Sequence, residues 1–134
     1  MPDRSSIENL LNRYSLAFDT ADLETLEDVF VEDATFSMVI AGGDRIAFGP
    51  RDGIMKLMRD SLEAQTDQRR HINSNLLVDD EANGVTRTRH YLTLVGTENG
   101  AINLLSAGLY SAEIVEQDGA LRFKSLHVDL DKAY

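Results

Sequence analysis

A chain of 134 residues, 43% hydrophobic and 27% charged, has the size and composition of one globular domain around one hydrophobic core. Its formal net charge of −10 argues against nucleic acid and anionic membrane surfaces as partners, because both call for a basic face. The absence of cysteine excludes disulfides and thiolate metal sites.

Met1-Pro2-Asp3-Arg4 lacks the basic region and apolar run of a signal peptide, and no apolar stretch approaches the roughly 20 residues that span a bilayer. The expected compartment is the cytoplasm. Ser5 and Glu8 have capping-box spacing. Ile7, Leu10, Leu11, Tyr14 and Phe18 then recur at helical spacing, which predicts an amphipathic helix over residues 6–18. Asp22 is placed to cap a second, short helix that turns Leu23, Leu26 and Phe30 inward. Ala34 to Ile40 reads as a strand, Ala41-Gly42-Gly43-Asp44 as a turn, and Arg45 to Phe48 as a short return strand.

Gly49-Pro50 ends that hairpin, and Pro50 suits the start of a third helix with Ile54, Leu57, Met58 and Leu62 buried. From His71 onward four strands are predicted, over roughly residues 71–78, 85–95, 101–116 and 121–130. Asn83-Gly84, Asn99-Gly100 and Asp118-Gly119 between them are hairpin signals. Helices segregated from a long antiparallel meander imply an α+β domain, residues 1–134, in which a curved sheet wraps over three helices as a cone. The interior of such a cone is the natural small-molecule site.

Alternation puts His71, Asn73, Asn75 and Leu77 on one strand face and Ile72, Ser74, Leu76 and Val78 on the other. The polar face points either to water or into the cone. Arg87, Arg89 and His90 are expected on a solvated or dimer-facing side, and His127 is expected to be structural. The three histidines have no metal-ligand spacing, so no metal and no cofactor are expected. Gly42-Gly43 lacks the helix and Lys-Ser or Lys-Thr of a phosphate cradle, and no serine sits in an elbow motif.

The run from Tyr14 to Leu23, the segment Phe30 to Ala34, and the stretches Arg70 to Asn75, Ala107 to Tyr110 and Leu121 to Lys124 resemble the SnoaL-like family of the nuclear-transport-factor-2-like superfamily. The chain is most similar to the branch holding scytalone dehydratase, bile-acid 7α-dehydratase and hexachlorocyclohexane dehydrochlorinase. That resemblance implies a cofactor-free Asp–His pair that removes a proton and expels water or chloride. The Asp falls on Asp19, the His on His71, and a tyrosine of the bile-acid enzyme on Tyr14. The pattern departs at Gly96, where a second histidine would stand, at Leu126, where an arginine would stand, and at Leu121, where a tryptophan is common.

The resulting hypothesis is a lyase, dehydratase or isomerase acting on a small hydrophobic hydroxy-carbonyl compound. His71, oriented by Asp19, is the general base. Tyr14, otherwise a core residue, polarises an oxygen. Asn73, Asn75, Phe18 and Met38 contact the substrate. A non-catalytic binding or dimerisation module and a polyketide cyclase are the alternatives. A homodimer is expected, through a sheet face carrying Ile72, Leu76, Leu92 and Leu94 or its reverse.

Overall fold

The computed structural model describes residues 2–134. Helices α1 (Arg4–Asp19), α2 (Leu23–Asp28) and α3 (Arg51–Ala64) accompany strands β1 (Phe30–Ile40), β2 (Ile46–Phe48), β3 (Gln68–Ala82), β4 (Val85–Glu98), β5 (Ala101–Gln117) and β6 (Ala120–Leu130). The element order is the predicted one. The six strands form one open sheet in the order β2-β1-β6-β5-β4-β3. All pairings are antiparallel except β1 with β6, which is parallel. This is the expected α+β cone, with the helices against the inner face of the sheet.

Two boundaries differ from expectation. The cap of α1 is Asp3, whose carboxylate accepts from Ser6 N at 2.8 Å, so the helix begins before the Ser5–Glu8 box. Phe30 opens β1 rather than closing α2, because α2 is a single turn and a half ended at Val29. Asp22 does cap α2: its two oxygens take Thr25 N at 3.1 Å and the Thr25 hydroxyl at 2.7 Å. In α3 the buried residues are Ile54, Met55 and Met58, with Leu57 and Leu62 only half-buried at the edge of the core.

The core is the seam between α1, α3 and the sheet. Ile7, Leu10, Ile54, Leu94, Ile114, Phe30 and Phe123 are all fully buried there. Opposed residues of antiparallel strands share a face, and His71 opposes Leu94 while Asn73 opposes Leu92. Leu92 and Leu94 therefore belong to the core. Ile72 lies on the outer face, so these leucines and Ile72 do not make one surface, contrary to expectation.

The three hairpins turn on Asn83-Gly84, Asn99-Gly100 and Asp118-Gly119, each pair with both residues at positive φ. That is the geometry of a two-residue turn matched to strand twist. The end of α1 is less comfortable. Asp22 N bonds Ala17 O and Ala21 N bonds Phe18 O, the two bonds of a Schellman cap, yet the left-handed residue is Ala21 at φ 56°. A Cβ in that region costs about 1–2 kcal/mol, against a glycine entropy cost of about 0.5–1. Ala21→Gly is therefore expected to stabilise the fold by about 0.5–1 kcal/mol, read as a higher urea midpoint at unchanged slope. A lower midpoint would contradict this account of the cap.

Candidate active site

Asp19 is the last residue of α1, and His71 stands on β3 opposite it. The His71 ring Nδ1 lies 2.6 Å from Asp19 Oδ1, and the His71 backbone N–H donates to Asp19 Oδ2 at 2.8 Å. A carboxylate at neutral pH only accepts, so Nδ1 carries the proton and Nε2 is left with a free lone pair. Both side chains are nearly buried, 6% exposed for His71 and 8% for Asp19. The edge of the Phe18 ring meets the imidazole at 5.0 Å between centroids.

Local structure fixes this pair from both sides. Gln68 Nε2 donates to the Asp19 carbonyl at 2.8 Å, which ties the end of α1 to the start of β3. Further along, Asn73 Nδ2 donates to Ser15 Oγ at 2.9 Å and to Asn12 Oδ1 at 3.2 Å. Asn73 thus staples β3 to α1 on the His71 face, and its Oδ1 is buried without a partner.

Asn75 does not share that face. The β3–β4 register steps three residues on β3, from Ser74 to Leu77, against two on β4, from Tyr91 to Arg89. The extra residue is a β-bulge with Asn75 at φ 57°, a conformation asparagine tolerates better than most residues. Beyond the bulge the phase reverses, so Leu76 and Val78 turn inward and Leu77 outward. Asn75 lines a separate groove of about 240 Å³ between α1 and β3, with Asn12, Asn73 and His90.

Tyr14 is buried in the core, with Phe30, Phe123 and Tyr110 packed edge-on around its ring. Burial pushes its hydroxyl well above the ordinary tyrosine range, and Tyr110 and the charge of Asp19 add to that shift. Phe18 and Met38 line a second groove of about 330 Å³, walled also by Leu57, Gln65, Arg69 and Tyr134. Arg69 escaped the sequence reading, although alternation back from His71 already puts it on the same face.

Of the other two histidines, His90 departs from expectation. His90 is buried, not solvated: it stacks on Tyr110 at 4.9 Å and its Nδ1 has no partner. Arg87 and Arg89 do face outward, paired with Asp80 and Asp79. His127 has partners that strand pairing supplies: its Nδ1 meets Ser37 Oγ at 2.7 Å, and its Nε2 meets Asp129 at 3.2 Å.

The chain belongs to the SnoaL-like domain family, whose profile matches residues 1–127. It is 30% identical over 130 residues to the terrestric acid biosynthesis cluster protein E of Penicillium crustosum, a match covering 95% of this chain and 81% of that protein. Its fold is that of ActVI-ORFA from Streptomyces coelicolor, with TM-score 0.82, 21% identity and coverage of 95% and 96% of the two chains. A protein of Catenulispora acidiphila solved in complex with S-DNPA is similar at TM-score 0.81 and 22% identity, covering 95% of this chain and 92% of that one.

Burial lowers the His90 pKa from 6.5 to about 4. The native state therefore favours the neutral ring, and the unfolded chain binds the extra proton between these values. Stability contributed by His90 is complete above about pH 6.5 and lost as pH falls toward 4, amounting to about 3 kcal/mol. His90→Phe, which can keep the stack on Tyr110, is expected to flatten that segment of a stability-against-pH curve. An unchanged slope would place the titration elsewhere.

Proposed function

We propose that this protein is a cofactor-free lyase of dehydratase type, or an isomerase, acting on a small hydrophobic hydroxy-carbonyl compound. The observation that carries the reading is the nearly buried Asp19–His71 pair, with Nδ1 2.6 Å from the carboxylate, a contact that assigns the proton to Nδ1 and the lone pair to Nε2. Nε2 takes a proton from the carbon next to the carbonyl. The electron pair moves into the carbonyl oxygen as an enolate. Its return expels a β-hydroxyl, which leaves as water with the proton delivered by the imidazolium. Reprotonation at another carbon gives the isomerase outcome instead. Asp19 stabilises the imidazolium while it exists. Tyr14, protonated at neutral pH, is the proposed donor to the developing oxyanion.

Family membership supports small-molecule chemistry of this kind, and a relative from a biosynthesis cluster fits a substrate of secondary metabolism. A screen of β-hydroxy ketones and β-hydroxy esters, followed by the absorbance of the conjugated product, tests the reading. Asp19→Asn and His71→Ala are each expected to lower kcat/KM by about 10²–10⁴-fold with little change in melting temperature. Full turnover retained by both variants would end the proposal.

The same chain is proposed to pair with a second copy of itself through the outer sheet face. Ile72, Tyr91, Ile102 and Leu104 are exposed there, with the small Ser74, Thr93 and Ala107 among them. The pairs Arg87–Asp80 and Arg89–Asp79 border this strip, so its centre is apolar and its rim charged, as in a specific interface. Sedimentation is expected to show a dimer that Tyr91→Glu dissociates. A wild-type monomer at high micromolar concentration would exclude it.

A further inference from the structure

We propose that Arg69 docks an anionic oxygen of the substrate, a carboxylate or a phenolate, while the groove beside it takes the apolar remainder. This inference rests on the lyase reading and specifies its substrate class. Arg69 lies two residues before His71 on the inner face of β3, and its side chain is only 19% exposed. The apolar part of its groove includes Phe18, Met38, Leu57 and Leu130, and Phe18 is the ring that touches His71. Phe18 thus stands between the groove that holds the guanidinium and the imidazole.

The guanidinium is held so that one edge stays available. Its Nε donates to Asp67 Oδ1 at 3.1 Å, and the Tyr134 ring packs over its central carbon at 4.8 Å. The two terminal nitrogens have no protein acceptor among the described residues, and that edge is the fork that matches a carboxylate. Asp67 is seated by Gly96, which opposes Arg69 across the β3–β4 ladder. A Cβ at position 96 would overlap the Asp67 carboxylate and come within 2.9 Å of Leu105 Cδ1. Any side chain there would displace the group that aims the arginine.

A second orphan stands beside it. Gln65 Nε2 donates to the Asp67 carbonyl at 3.2 Å, while Gln65 Oε1 is buried with no partner. An acceptor next to a cation suits a ligand carrying a hydroxyl near its anion. The overall charge of −10 repels anions at long range, so an anionic substrate requires a cation inside the groove, where reduced solvent strengthens the pairing.

Calorimetric titration with 2-naphthoate, 4-nitrophenolate and the neutral 2-naphthalenemethanol tests the assignment on the full chain. Wild type is expected to bind at least one anion more tightly than the alcohol, and which anion it prefers identifies the oxygen. Arg69→Met should weaken that anion about tenfold or more and leave the alcohol within about twofold, with Arg69→Lys in between. Wild type that binds no anion, or binds anions no better than the alcohol, overturns the inference. So does a folded Arg69→Met with unchanged anion affinity. Should Arg69→Met not fold, unchanged anion affinity in Arg69→Lys overturns it equally. His71→Ala separates the two readings. Lost turnover with anion binding indifferent to position 69 removes only the Arg69 assignment. Full turnover of His71→Ala, with anion binding that depends on Arg69, removes only the catalytic one.

Discussion

The interaction on which this architecture depends is the double grip of Asp19 on His71. A carboxylate at the C-terminal end of a helix sits at the negative end of the macrodipole, an unfavourable place for a charge. Burial makes it worse, because an ionised carboxylate out of water is costly unless every lone-pair direction of consequence is met. Here one oxygen takes the ring N–H and the other the backbone N–H of the same residue. The two bonds fix the imidazole in position and in tautomer. They also lock the end of α1 to one register of β3, because a one-residue slip would turn His71 to the outer face. Gln68 and Asn73 repeat the tie on either side, so the candidate base is held by the same contacts that join helix layer to sheet.

The fold was legible because its signals are local. Three Asn-Gly or Asp-Gly pairs mark three hairpins, and each adopts the positive φ that its chemistry favours. Helical periodicity marked the buried stripe of α1 over Ile7, Leu10, Leu11, Tyr14 and Phe18, all of which are buried. The closeness of Asp19 and His71 was not legible from spacing, since 52 residues separate them. Only the family pattern suggested it. What strand parity withholds is which face is inside. That is why Leu92 and Leu94 read equally well as surface, and why His90 reads as a solvated or dimer-facing residue when it belongs to the core.

The bulge at Asn75 shows a second limit. A single left-handed residue reverses the phase of Leu76 to Val78, until a second register shift before Asp80 reverses it again, and asparagine in a strand carries no mark that separates a bulge from ordinary pairing. The same residue type serves opposite ends two positions apart: Asn73 is a staple into α1, and Asn75 is a hinge in the ladder. Arg69 needed both kinds of knowledge. Parity put it beside His71, but its importance rests on Asp67 occupying the space that Gly96 leaves empty.

The three histidines show how environment rather than residue type singles out the candidate base. His127 sits at the β1–β6 pairing, engaged on both nitrogens by Ser37 and Asp129, with no lone pair to spare for a substrate. His90 has an unpartnered nitrogen, but no carboxylate among the described residues pairs with it. Burial against Tyr110 holds it neutral down to about pH 4, so a proton transferred to it would cost more than the ring can return. His71 alone combines a free nitrogen with a carboxylate on the other side of the ring. A base must accept a proton and then survive as a cation long enough to give it up. Asp129 stands beside His127 in the same way but occupies the nitrogen a substrate would need, whereas Asp19 supports the protonated His71 ring from the side away from its free nitrogen.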